Sequence, residues 1–519
     1  MKILEPRDVI NKVKKFIGKN GTIAIITVMI VGLIVHAYLY THNVMSSDGL
    51  AIGSYHLSDP WEKSLGRWGI QFFDFARGGI VNEVLIVAVS LVILSMATVF
   101  LLKLFDIKST AVTIGISLLM ATAPQFASTF LYIFCADAYC FAMLSSVLAV
   151  YFMRRKKGKR ILNYIISIAL IIFTLSIYQA YIGVVVGLSM LTLLMDLLQN
   201  KDSKEVLKEG IKQIVVMIIS LILYFIATKL ILKLIGLEIA SYSGANNVSI
   251  TNFKISSIFQ TYKSFYNYYF TDSILHNIYW KRSLINLCIL AISVGNLIMI
   301  IANNKVYKNK LSIIGIILII ILLPLGLNVI EIIANEKQIN LLMAASLILV
   351  YIAFLKQYEL LKQTNLEIIS KYIILGLVCI LTTTYAWSNN ATYMVREYIY
   401  NNYYSTSVSI VTKVESLEGY NKDMYWMFND LIRYTPSLVT KSNGFGGYDY
   451  ETWNEIRGIY MTNNFYFRYL GKTIKMCPKY KYDEIVKTEE YKNMPLYPND
   501  GSIRIIDNVV VIKLSDKIF

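Results

Sequence analysis

Cysteine and histidine are scarce in this chain of 519 residues: five of one, four of the other. The cysteines, at positions 135, 140, 288, 379 and 477, form no CxxC pair and no Cys/His metal spacing. That excludes thiolate-metal and dithiol redox chemistry. Only Cys477 lies outside the apolar stretches, so the tail cannot contain an internal disulfide. Charge is scarce as well. Charged residues make up 16 % of the chain, against about 25 % in a soluble protein. Hydrophobic residues make up 56 %, and the mean hydropathy is +0.52. A soluble globular fold is excluded.

What the chain has instead is apolar runs of roughly 17–25 residues, long enough to cross about 30 Å of hydrocarbon at 1.5 Å per residue. They fall at about 21–40, 81–102, 109–127, 130–152, 161–177, 180–198, 213–236, 283–302, 311–328, 341–356 and 372–388. This reads as a polytopic α-helical membrane protein of about 11 spans, the short pair 161–177 and 180–198 being able to fold back as re-entrant segments. The first run has the basic start of a signal peptide, but it is too long and no small-residue cleavage site follows, so it is taken as an uncleaved span. No internal repeat of fixed period is evident.

Acids are fewer than bases, 34 against 50, which leaves a net charge of +16. The excess lies in alternate loops: Lys103 and Lys108; the run "RRKKGKR" from Arg154 to Arg160; Lys201, Lys204, Lys208 and Lys212; Lys305, Lys308 and Lys310; Lys356, Lys362 and Lys371. The positive-inside rule assigns these loops and the amino terminus to the cytoplasm. The basic balance therefore reads as topology and contact with membrane lipid, with no nucleic-acid partner. Residues 1–388 form the expected membrane domain, with outer loops at 41–80 and 237–282. Residues 389–519 form an expected extracytoplasmic C-terminal domain. In that tail "ETWNEIRGIYMTNNFYFRYLG" has helical periodicity, and "GSIRIIDNVVVIKLS" reads as two strands joined at Asp507-Asn508, so a small α/β domain is expected. In the long loop Phe259, Tyr262, Tyr266 and Tyr269 recur at helical spacing, as in an amphipathic helix lying in the interface.

Ionisable groups at membrane depth cost roughly 2.5–3.5 kcal/mol each, so they are functional candidates. Asp137, in "FCADAYCF", is the clearest, near the outer end of the fourth span. Lys229 and Lys233, one turn apart near the outer end of the seventh, suit a lipid phosphate or snorkel into headgroups. The opening loop, "THNVMSSDGLAIGSYHLSDPWEKSLGRWG", concentrates polar chemistry. Asp48 stands just past the first span, where a carboxylate can deprotonate a hydroxyl. Asp59 and Glu62 are alternatives, and Asp74 is more distant. Arg67, between the glycines of "GRWG", offers a fork of donors matched to phosphate. Tyr178-Gln179, in "SIYQAYIG", sits at an outer turn, where Gln179 either bonds a hexose hydroxyl or caps the turn. The spacing of His42 and His56 with Asp48 and Asp59 matches no ligand pattern, so no metal ligand is assigned.

"SSDGLAIGSYHLSDPWEKSLGRWG", "CADAYCFAMLSSVLAVYF", "SIYQAYIG" and "LLPLGLNVIEIIANEKQINLLMAASLILVY" resemble the bacterial glucosyltransferase II family, within the GT-C membrane glycosyltransferases. The tail phrase "MPLYPNDGSIRIIDNVVVIKL" is similar to members from Gram-positive bacteria. The resemblance implies a bacterial plasma-membrane hexosyltransferase with a GT-C-like fold. It would move a hexose, glucose by the family, from undecaprenyl phosphate to a cell-surface glycan at the outer face, with inversion at the anomeric carbon. Either Asp48 or Asp137 would be the base. Arg67, Tyr178, Gln179 and Lys229 would serve the donor's phosphate and sugar. Where family members have two acids in the first loop, this chain has Ser47-Asp48. A divalent metal is therefore left open but unsupported, and no other cofactor is implied. The rival readings are a polysaccharide or lipid-linked-oligosaccharide transporter, and an O-antigen-type polymerase or ligase using Lys254, Lys263, Lys281 and Arg282. No soluble block large enough for a cytoplasmic Rossmann-type transferase is present.

Overall fold

The computed structural model describes residues 6–517 apart from 157, 241–254, 272–281, 334–338, 363, 435–443, 446–447 and 450–457. Among the described residues eleven helices are long and apolar enough to cross a membrane. They lie where the apolar runs lie, and the chain is a multi-pass membrane protein. Side chains from Asn82, Ser109 and Asn309 accept backbone N–H bonds at the starts of three of them, supplying donors' partners that the helix itself cannot. The third run is two helices, Thr110–Thr122 and Pro124–Leu131. The break falls where Pro124 lacks an N–H and Ala123 takes an extended conformation. The first helix, Pro6–Val35, takes in much of the basic leader and bends at Gly18.

The spans 110–131, 133–154, 179–198 and 341–360 make the buried centre of the bundle. Ser203–Leu234 and Lys310–Leu327 lie outside them and expose Ile218, Ile222, Phe225, Ile314, Ile317 and Ile321. That is the surface lipid requires, since hydrocarbon is as good a neighbour for isoleucine as another helix is.

The last span does not stop near 388. Helix Asn365–Glu415 runs unbroken for 51 residues, about 77 Å at 1.5 Å per residue, where crossing takes about 30 Å. A capping box between Thr364 and Glu367 starts it. Beyond 388 it still buries Asn389, Tyr393, Arg396 and Ile399, so the expected domain boundary falls inside one continuous helix.

The tail has a four-stranded sheet in the order β4 (Lys475–Met476), β1 (Tyr425–Phe428), β6 (Val509–Ile512), β5 (Ile503–Ile506), and a two-stranded ribbon of β2 (Gly444–Phe445) and β3 (Tyr448–Asp449). Strand β1 is parallel to both its neighbours, while β5 and β6 form an antiparallel hairpin. Asp507 and Asn508 turn that hairpin with φ of 48° and 60°, the left-handed pair that a two-residue turn of this twist needs. Of the stretch read as helical from Glu451, the described part is helix Gly458–Leu470. This helix and the long helix cover one face of the sheet, and their shared core includes Tyr403, Val414, Trp426, Phe465, Tyr466 and Val510. Leu50, from the first loop, is buried in that same core. The tail and the first loop are therefore packed as one body at one end of the bundle.

Helix Ile255–Phe270 is present, but the four aromatics do not share one exposed face. Phe259 and Tyr266 are exposed and Tyr262 half-buried, whereas Tyr269 points inward and donates to the Leu347 carbonyl at 2.6 Å. Thr261, Phe265 and Tyr268 share its buried side. Lys254 and Lys281 lie outside the described residues.

Candidate active site

Loop 41–80 folds into three short helices, Ser47–Ile52, Pro60–Ser64 and Ile70–Ala76, each held to the bundle by a different polar anchor. Ser46 begins the first. Its side chain accepts from Gly49 N at 3.1 Å, and its own N–H donates to the Leu131 carbonyl at 2.8 Å. Asp48 follows in the first turn, half-buried. Behind it Arg396 of the long helix is fully buried and donates through Nε (3.0 Å) and Nη2 (2.8 Å) to the Met45 carbonyl. The same guanidinium acts electrostatically on Asp48. The helix ends at Gly53 with φ of 70°, and a Cβ there would lie 2.8 Å from Arg468 Cδ. Glycine is required twice over: for the left-handed backbone and for the side chain that crosses it.

The second anchor is a chain of charges. Asp137, in the first turn of helix Ala136–Arg154, accepts from Arg77 Nη1 at 3.1 Å and from Ala138 N at 2.9 Å. Arg77 also pairs with Asp74 and donates to the Phe134 carbonyl at 2.7 Å. Asp74, almost fully buried, accepts from Ser58 N at 2.8 Å and from His56 Nδ1 at 3.2 Å. On the other edge of that ring, Nε2 lies 3.3 Å from Glu62 Oε2. Burial alone would push the His56 imidazolium pKa down, but the Asp74 and Glu62 carboxylates beside it carry it up to about 9. His56, Glu62 and Asp74 form the one group among the described residues whose ligand atoms lie within 4.8 Å of one another in a metal-binding combination. Asp59 caps the 60–64 helix, accepting from Glu62 N at 2.9 Å.

The third anchor carries the "GRWG" motif. The Arg67 guanidinium lies 4.6 Å from the centroid of the Tyr178 ring, and Tyr178 stacks on Tyr139 at 4.6 Å. Gln179 Nε2 donates to the Leu65 carbonyl and to Tyr224 Oη, both at 2.8 Å. Tyr224 in turn donates to the Gly66 carbonyl at 3.1 Å, and Trp68 Nε1 donates to Thr228 Oγ1 at 3.1 Å. Gly66 has φ of 81°, and a Cβ on it would sit 2.4 Å from Tyr224 Oη. The close approach these glycines allow is thus to the protein itself.

A model of the glucosyl transferase GtrII family matches residues 37–356, which is more than half of the chain. The chain belongs to that family. Neither a curated protein nor a solved structure matches it. GtrII membership makes the protein a glycosyltransferase, with a sugar donor and an acceptor. The matched region takes in Asp48, Asp137 and Arg67, while Arg396 and the tail lie beyond it.

Within this GtrII chain the structure brings Arg67, Tyr178 and Gln179 together. Both hydrogens of the Gln179 amide nitrogen meet protein acceptors, one in the first loop and one on helix Ser203–Leu234, neither of them in the turn at 178–179. Lys229 is not in that group. Tyr224 and Thr228 are the residues of helix Ser203–Leu234 that face the loop, and Lys229, one position on, is exposed. Asp48 and Asp137 stand on separate anchors, each with its own arginine. Sequence reasoning missed Arg396, a single arginine in "YMVREY" past the last apolar run, and gave Arg77 no partner. The i,i+3 spacing of Asp74 and Arg77 was the available signal for the second; nothing local marked the first.

Proposed function

We propose that this protein transfers a hexose, glucose by its family, from undecaprenyl phosphate to a cell-surface glycan, at the outer face of a bacterial plasma membrane. The distribution of Lys and Arg supports that orientation. The observation that carries the reading is Asp48, half-buried at the head of a short helix just past the first span, with the buried Arg396 guanidinium behind it.

Asp48 is the base and Asp137 a brace. Asp137 accepts a guanidinium and a backbone N–H, so its carboxylate is engaged in tying the 70–76 helix to the bundle. In the transfer the acceptor hydroxyl gives its proton to Asp48, and its oxygen forms the new bond to the anomeric carbon. The bond from that carbon to the phosphate oxygen breaks, the electron pair staying with the departing polyprenyl phosphate. A monophosphate leaving group needs cationic help, which the Arg67 guanidinium, over the Tyr178 ring, is placed to give.

The test is transfer of radiolabelled glucose from undecaprenyl phosphate to cell-wall glycan by purified protein in nanodiscs. Wild type should transfer, and Asp48→Asn should lose about 100-fold or more in kcat while keeping its melting temperature. Unimpaired transfer by Asp48→Asn would remove Asp48 as the base. No transfer from any polyprenyl-phosphate hexose would remove the donor assignment.

A further inference from the structure

We infer that Tyr400, Tyr404 and Tyr469 form a stacking platform for pyranose rings of the acceptor glycan, leading away from Asp48. The inference rests on the hexosyl-transfer reading and adds to it where the acceptor lies and what chemistry it has. Tyr400 and Tyr404 stand four and eight positions beyond Arg396 on the long helix, so they follow it along nearly one face. Each step rises about 6 Å. The two rings are stacked, with centroids 6.0 Å apart. Tyr469, from helix Gly458–Leu470, meets Tyr400 edge to face at 6.0 Å. Arg396, at the foot of this line, is the guanidinium that acts on Asp48. The platform therefore begins one helical turn beyond the arginine behind the proposed base.

Neither the membrane nor the tail core explains these rings. The apolar run ends near 388, which places Tyr400 about 18 Å and Tyr404 about 24 Å further along the axis. The headgroup layer where aromatic belts sit is only about 5–8 Å deep on each side. The tail core is filled from the same two helices by Tyr403 and Phe465, both buried. Tyr404 keeps 39 % of its surface exposed, and Tyr400 and Tyr469 are half-buried. Hydroxylated rings at that exposure suit a ligand that is apolar on one face and wet at its edge. A pyranose ring is such a ligand, with a C–H face and a rim of hydroxyls. Polar groups for that rim are at hand, since the half-buried Glu83 and the exposed Arg468 both act electrostatically on Tyr469. Glu83 also lines a crevice with Val44 and Met45, and Met45 carries the carbonyl that Arg396 holds. Arg468 crosses Gly53, where the Asp48 helix ends, which ties the platform to the base. A chain of glycerol phosphates has no ring face to offer, so the acceptor is a pyranose polymer contacted over more than one unit.

The experiment is binding of fluorescently labelled oligosaccharides to the full-length protein in nanodiscs, without donor, followed by transfer kinetics. The panel holds neutral glucan, galactan and rhamnan oligosaccharides, with glucose and poly(glycerol phosphate) as comparisons. At least one pyranose oligosaccharide should bind, more tightly than glucose, and poly(glycerol phosphate) should not compete with it. Tyr404→Ala, at an exposed position, should weaken that binding by about 3–10-fold with no change in melting temperature. Tyr404→Phe, which keeps the ring, should restore most of it. In transfer, Tyr404→Ala should raise the acceptor KM by the same factor while the donor KM stays as in wild type. Binding of no oligosaccharide in the panel, equal binding by wild type and Tyr404→Ala, or equal competition by poly(glycerol phosphate) would overturn the platform. Because binding is read without donor, a lack of transfer from every lipid-phosphate hexose would remove the donor assignment and leave the binding result standing.

Discussion

At the scale of single residues, this chain differs from a soluble protein in how few charges it has and in how one buried cation serves several partners. Arg77 serves two carboxylates and a carbonyl at once. Arg77→Gln leaves the buried Asp137 without its cation and Asp74 with His56 alone, and should destabilise the protein by about 3–5 kcal/mol. Adding Asp137→Asn to it should recover part of that loss in a thermal melt. If the double variant is no more stable than the single, the two side chains are not coupled. Arg396→Lys tests the other anchor. Lysine keeps the charge but lacks the fork that reaches the Met45 carbonyl through two N–H groups. It should lower kcat with little change in donor KM, because Asp48 would lose its orientation while the donor contacts proposed at Arg67 would remain. An unchanged kcat would mean that Arg396 only supports the fold.

At the scale of elements, the long terminal helix does work that no loop could. It carries Tyr385 within the bundle, Arg396 at the first loop and Tyr403 into the core of the tail, on one rigid axis. Ala391→Pro removes a hydrogen bond inside that axis and inserts a ring against the preceding turn, a cost of about 3 kcal/mol or more. The expected outcome is new protease cutting near position 391 and loss of transfer, with the spans still inserted. Resistance to protease equal to wild type would show that the axis tolerates the break. The β5–β6 hairpin is the opposite case, because its turn depends on two adjacent residues and little else. That is why Asp507-Asn508 was legible in the sequence and the continuity past residue 388 was not. Hydropathy falls at 388, but the helix continues because Asn389, Thr392, Tyr393 and Arg396 find buried partners that hydropathy does not record.

At the scale of the whole molecule, the tail is a completed domain only with the loop's help. Leu50 is 1 % exposed and lies among Tyr403, Phe465 and Val510. Leu50→Ala should cost about 2–5 kcal/mol. Residues 416–519 expressed alone lack Leu50 and the Tyr403–Val414 stretch, so they should bind a hydrophobic dye and melt without a sharp transition. A cooperative melt from that fragment would contradict the shared core.

The sequence by itself determined the spans, the hairpin, the basic loops and the family, because each is written in neighbouring residues: runs of apolar side chains, a pair that tolerates left-handed backbone, clusters of one charge, ordered motifs. It also marked the first loop as the place where polar chemistry concentrates. Only the tertiary structure decided which partner each polar group has. Asp137 reads as a lone intramembrane acid until Arg77, sixty positions away, is placed on it. Gln179 reads equally well as a sugar contact or a cap, and only the fold brings Leu65 and Tyr224 to its amide nitrogen. Arg396 has no role until Met45, at a separation of 351 residues, is brought beneath it. Local pattern fixes whether a side chain is buried, since that depends on solvent and on the period of the helix. What it meets there depends on how distant helices pack, which no short stretch of this chain encodes.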